Sequence, residues 1–122
     1  MKYMLLEYLD EEGLTETEWQ ECYRDSAGLA RELAASGNYL TASLLHLTTS
    51  ATTVRLRGKM RLVTDGPFAE TGEQLGGYYL IEANDLDEAI NIAARVPIAR
   101  FGAIEVRPVM DIPGLPASWQ DF

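Results

Sequence analysis

The sequence predicts an α+β fold, one antiparallel sheet with its helices gathered on a single side. Three observations carry this expectation. Short aromatic or alternating runs recur near 2–8, 39–46, 53–64, 78–83 and 103–107. Two amphipathic helical patterns fall between them, and the order along the chain reads β-α-β, hairpin, β-α-β. With 122 residues, 47% of them apolar, the chain fits one domain with one core. That domain is expected over residues 1–110, followed by an irregular tail, 111–122.

The opening Lys2-Tyr-Met-Leu-Leu-Glu-Tyr8 is aromatic and apolar enough for a largely buried first strand. A helix start follows: Thr15 and Glu18 form an S/T-x-x-E capping box, with Leu14 and Trp19 at the staple positions. Trp19, Cys22, Tyr23, Leu29, Ala30 and Leu33 then recur at three- and four-residue spacing as one apolar stripe, and Gly37 supplies the left-handed end. Tyr39 to His46 alternates as a second strand, and the polar run Thr48 to Thr52 ends it. Two β-runs flanking Gly58-Lys59 read as a type II′ hairpin, with Val54, Leu56 and Val63 on a side expected to be buried. Tyr78 to Ala83 is the next strand. Asn84 or Asp85 caps a second helix, whose inward stripe is expected to be Leu86, Ala89, Ile90 and Ala93, and Pro97 stops it. Ala103 to Arg107 closes the set, and Trp119 and Phe122 in the tail are candidates to dock on a neighbour.

Two β-α-β halves of this kind describe a ferredoxin-like, split βαβ sheet with an inserted hairpin. Both helices cover one side. The other side, where alternation leaves further apolar residues, calls for a second subunit, so the expected assembly is a homodimer closed as a dimeric α+β barrel.

Ten Lys and Arg stand against 19 Asp and Glu, a net charge of -9. Such a field repels phosphate backbones and anionic lipid, which argues against nucleic acid and membrane as partners. Four of the ten bases (Arg55, Arg57, Lys59 and Arg61) nevertheless fall within seven residues. They read either as a solvated hairpin tip or as an anion-attracting patch. One cysteine, Cys22, excludes an internal disulfide and falls on an apolar helix face, as a small buried hydrophobe would. No leader or spanning pattern is visible, so a cytoplasmic location is expected.

The segment Thr64-Asp-Gly-Pro-Phe-Ala-Glu-Thr-Gly-Glu-Gln-Leu-Gly-Gly-Tyr-Tyr-Leu-Ile-Glu82 resembles the DGPF-type branch of the YCII-related family. The likeness extends from Met1 to about Val109 through Met1-Lys-Tyr-Met-Leu-Leu, Ala51-Thr-Thr-Val-Arg, Asp85-Leu-Asp-Glu-Ala and Glu105-Val-Arg-Pro-Val. It implies a ferredoxin-like dimeric α+β barrel and no established activity. Where this family usually carries lysine, the chain has Gly72. The wider superfamily includes a His-Asp pair proposed as catalytic; His46, the single histidine, does not match that pattern, so the role is not carried over. Similar proteins are often encoded beside or fused to alternative sigma factors, which implies a non-catalytic binding or regulatory module as an alternative to an enzyme.

The same motif has a physical reading. Asp65 is expected to accept from the backbone two residues on, Gly66 to supply unusual dihedrals and Pro67 to fix the next one. Phe68 reads as an apolar plug, Gly76-Gly77 as a place of close approach, and Glu70 with Glu73 as one face of a short helical turn. His46 is the single histidine, the side chain most used in general acid–base work, and an Asp65 or Glu70 beside it makes an acid–base pair. The expected pocket for an unidentified small molecule therefore has His46 and Asp65 as catalytic groups, with Tyr3, Arg55, Glu70 and Tyr78 as binding groups and Arg55 holding an anion. The bland alternative is a capped turn with solvated carboxylates. No metal site and no cofactor motif is present, since H-E-x-x-H, C-x-x-C and phosphate-loop patterns are all missing.

Overall fold

The computed structural model describes residues 1–116; Trp119 and Phe122 lie outside them. Strand β1 (Lys2–Leu9) alternates strictly, with Tyr3, Leu5, Glu7 and Leu9 buried and the residues between them half-buried. A 3-10 turn at Glu11–Gly13 leads into helix α1 (Glu16–Ala35). The capping box forms: the Glu18 N–H donates to Thr15 Oγ1 at 3.1 Å, and the Thr15 N–H donates to the Glu18 carboxylate at 2.9 Å. Such a cap contributes about 1 kcal/mol. At the other end Gly37, at φ +82°, lets the Asn38 N–H reach back to the Leu33 carbonyl and its own N–H to that of Ala34.

Strands β2 (Tyr39–Leu44), β5 (Gln74–Glu82) and β6 (Gly102–Pro108) join β1 in one antiparallel sheet of order β2-β5-β1-β6. The helices α1 and α2 (Leu86–Ala93) each link strands of this sheet, the β-α-β repeat of a ferredoxin-like fold. Inward residues of β1, β5, α1, α2 and the 3-10 segment Pro97–Arg100 build the core, with Leu5, Leu9, Leu33, Ile81 and Ile98 fully buried. The opposite sheet face carries Met4, Leu6 and Tyr8, paired in register with Leu80, Tyr78 and Leu75 of β5.

Three local expectations change. Strands β3 (Thr52–Arg57) and β4 (Met60–Asp65) pair in the anticipated register, Val54 opposite Val63, but they form their own two-stranded sheet. Both sides of this hairpin are solvent-exposed within one chain, so Val54, Leu56 and Val63 are not buried by it. In α2 the buried residues are Ala89, Ile92 and Ala93, while Leu86 and Ile90 are half exposed. Two alanines let the helix axis approach the sheet closely, Ile92 packs inward beside them, and Leu86 and Ile90 turn outward. Finally, β5 begins earlier than expected, at Gln74, so that Gly76-Gly77 lie within it at a bulge opposite Glu7 and Tyr8. A Cβ on Gly77 would stand 2.7 Å from Glu7 Oε2 and 2.8 Å from the Ser43 carbonyl, so only glycine fits. Among the described residues no helix is long and apolar enough to cross a membrane.

Candidate functional site

Beyond β2 the chain leaves the sheet at Leu45, whose N–H donates to the Gly76 carbonyl at 2.8 Å, and turns through a 3-10 segment at Thr48–Ser50. Glu11 ties this segment to the first strand's end, its carboxylate accepting from the Thr48 N–H at 2.9 and 3.2 Å. The Glu11 N–H in turn donates to Gln74 Oε1 at 3.0 Å, and Gln74 Nε2 donates to the Thr71 carbonyl at 2.6 Å. Three segments distant in sequence are thus laced together by main-chain and carboxylate hydrogen bonds. Between them lies a cleft of about 610 Å³. Tyr8, from the helix-free sheet face, His46, Phe68, Glu73 and Gln74 supply its aromatic and polar groups, and Leu45, Leu47 and Leu75 its aliphatic ones.

The Asp-Gly-Pro-Phe bend forms one wall, though not by the expected bonds. The residue two beyond Asp65 is Pro67, which has no N–H to donate. The bend is held instead by Gly66, at φ +101°, whose N–H donates to the Ala51 carbonyl and whose carbonyl accepts from Thr53 Oγ1, both at 2.8 Å. Phe68 is no plug: it is 71% exposed, with the Arg55 guanidinium 4.6 Å from its ring centre. No helical turn brings Glu70 and Glu73 onto one face; the segment is irregular, and Glu73 alone of the two lines the cleft.

Of the candidate residues, then, His46 lies on the cleft. Arg55 stacks its guanidinium over the Phe68 ring and is not in the cleft lining, and Asp65 closes β4 at the base of the hairpin, exposed and outside the lining, as is Glu70. Tyr3 points the other way, into the helix-covered core, because odd positions of β1 face inward. Tyr78 belongs to the surroundings of a different cavity. Tyr8 was not anticipated, whereas Glu73, expected with Glu70 on one face toward a cleft, lines it without Glu70. Tyr8 was legible in principle, since an even position in a strand with buried odd positions must face the helix-free side.

The second cavity, about 310 Å³, lies between α1 and the inner sheet face and includes Glu7 among its walls. Glu7 is 0% exposed, and neither carboxylate oxygen has a hydrogen-bond partner among the described residues. Burial pushes its pKa from 4.5 up to about 7. Burial likewise raises the Tyr79 hydroxyl to about 12 while it donates to the Ser26 carbonyl at 2.8 Å. Cys22 is fully buried and its thiol is pushed up by that burial, against a lowering by Arg100; it is a packed group and not an activated nucleophile. Among the described residues no three His, Cys, Asp or Glu side chains gather as a metal-binding set.

The chain is similar to several known proteins. It shares 38% identity over 114 residues with an uncharacterised protein of Rhizobium meliloti (strain 1021), covering 89% of this chain and 92% of that one. Among solved structures it resembles the 5-chloro-2-hydroxyhydroquinone dehydrochlorinase of Burkholderia phenoliruptrix AC1100, in complex with 2,5-dihydroxybenzoquinone. That likeness has a TM-score of 0.50 at 13% identity, covering 90% of this chain and 94% of the other, and it concerns the fold. The family model described as the YCII-related domain matches residues 1–113, and with it the conclusion is direct: this chain belongs to the YCII-related family.

Proposed function

We propose that the protein is a homodimer that binds a small, largely aromatic molecule in the His46 cleft, where His46 moves a proton to or from a ligand hydroxyl or carbonyl. The observation that carries this reading is the cleft itself, about 610 Å³, apolar in most of its lining, with an imidazole, a phenol and a carboxylate at His46, Tyr8 and Glu73. A concave apolar site with a few polar groups is the ordinary form of a small-molecule pocket. Phe68 and Tyr8 offer flat faces for a ring. Arg55, fixed against Phe68, supplies positive charge beside the cleft in an otherwise acidic molecule and favours a ligand with anionic or phenolate character. In this reading Asp65 and Glu70 act on the bend and its approach, and Glu73 takes the place of Asp65 as the carboxylate near the ligand.

Homodimerisation has separate support. A two-stranded hairpin standing alone is marginal in water, and this one exposes apolar residues on both faces. A second copy covering β3, β4 and the face of Met4 and Leu6 removes both problems at once.

The test uses catechol and 2,5-dihydroxybenzoquinone as probes, the second because the structurally similar dehydrochlorinase holds it. Both are expected to raise the melting temperature of the protein. Phe68→Ala should weaken binding at least tenfold, roughly the loss of one stacking face. His46→Ala should retain binding and lower any turnover by 10²-fold or more, on the order of a lost general acid or base. If neither probe binds, or if both bind equally well to Phe68→Ala and His46→Ala, the cleft is not the site and a protein-binding module becomes the better account.

A further inference from the structure

We propose that the inner cavity beside Glu7 is a second binding site, and that it takes a small organic cation, a primary ammonium on a compact aromatic frame, with Glu7 as counter-ion. A core strand needs no acid at this position. Tyr3, Leu5 and Leu9, its inward neighbours on β1, are packed in the hydrophobic core, yet position 7 places a carboxylate among them. Buried carboxylates are ordinarily paired, and this one has no hydrogen-bond partner among the described residues. Ser26 Oγ, on the facing helix, is a second buried polar atom without one. Both residues line one cavity.

The surroundings keep that space open. Gly77 stands across from Glu7 where any side chain would strike its carboxylate, and Ala30 and Ala42 are the small residues between helix and sheet. Four tyrosines, Tyr23, Tyr39, Tyr78 and Tyr79, also line the cavity, and aromatic rings attract a cation. Glu7 forms no ion pair among the described residues, and Arg100 of the 3-10 segment pairs with Asp25 at 3.3 Å. The cavity reaches solvent at Tyr23 and Ala27, both exposed, which gives a ligand its entry. At about 310 Å³ it is at the lower end of ligand-pocket sizes, suited to a single ring with a short arm. The net charge of -9 draws cations toward the protein.

The experiment titrates the full chain at pH 8 with benzylammonium, benzyl alcohol and benzoate, by calorimetry and thermal shift. Benzylammonium is expected to bind, benzyl alcohol at least tenfold more weakly, and benzoate not at all. Glu7→Gln, which keeps the shape and removes the charge, should weaken benzylammonium at least tenfold; Ala30→Leu, which fills the space and keeps Glu7, should abolish binding. Circular dichroism checks that each variant is folded, and His46→Ala should bind benzylammonium as the parent does. Absence of benzylammonium binding, equal binding of all three probes, undiminished binding to folded Glu7→Gln, or an equal loss in His46→Ala would each overturn the assignment.

Discussion

Replacing Val54 and Leu56 together by aspartate should convert the protein from a particle of twice 13.5 kDa to one of 13.5 kDa, read by light scattering at micromolar concentration. These side chains are 60% and 68% exposed in the single chain, and Val63, cross-paired with Val54, is 55% exposed. A soluble protein rarely leaves such a row on a projecting hairpin unless a partner covers it. Burying one such side chain is worth about 1.5–3 kcal/mol, and a twofold axis makes every substitution count twice. The loss therefore exceeds what most dimers of this size can absorb. Far-UV circular dichroism should change little, because the four-stranded sheet and both helices do not include the hairpin. A parent already at 13.5 kDa contradicts the proposed dimer, and a variant that remains twice the chain mass contradicts the hairpin as its interface.

Glu7→Gln should make the protein more stable at alkaline pH and leave it nearly unchanged in acid. The unfolded chain ionises Glu7 near 4.5, whereas the folded protein holds the proton to about 7. Between those values the folded state binds more protons, so stability falls as pH rises. Below the unfolded pKa the penalty is absent; above the folded pKa it is constant. A shift of this size corresponds to about 3 kcal/mol. The neighbouring titratable groups do not reverse the sign: Tyr79 is raised to about 12, and the Cys22 thiol is also raised. Denaturant unfolding of parent and variant at pH 4.5 and pH 8 checks the point by difference, which cancels other residues. The expected gain is about 3 kcal/mol at pH 8 and within about 0.5 kcal/mol of zero at pH 4.5. Equal differences at both pH values would show that Glu7 is not the buried acid described.

Local chemistry was the most legible part of the chain. The Thr15–Glu18 box and the Gly37 terminus are decided within a few residues, so their spacing is enough to read them. The ferredoxin-like class followed from the alternation of strands and helices, while the strand order came from the structure. Helix α2 was legible in existence and not in phase, because the large apolar side chains Leu86 and Ile90 are not the ones that pack inward; close approach selected Ala89 and Ala93. The cleft was harder, since Tyr8, His46, Phe68 and Glu73 come from four places that only the Glu11 and Gln74 hydrogen bonds bring together. Asp65 attracted the reading as the motif's acid, but a following proline removes the N–H that would hold it. Glu7 did have a signal: it shares parity with Tyr3, Leu5 and Leu9, which is an unusual place for a carboxylate.

The cleft's role is the claim on which the functional account rests, and nuclear magnetic resonance shift mapping with catechol tests it most directly. The account predicts that the largest amide and side-chain shifts fall on Tyr8, His46, Phe68 and Glu73 to Leu75, with the His46 ring among the strongest. Shifts scattered over the surface, or gathered on residues remote from this cleft, would contradict it.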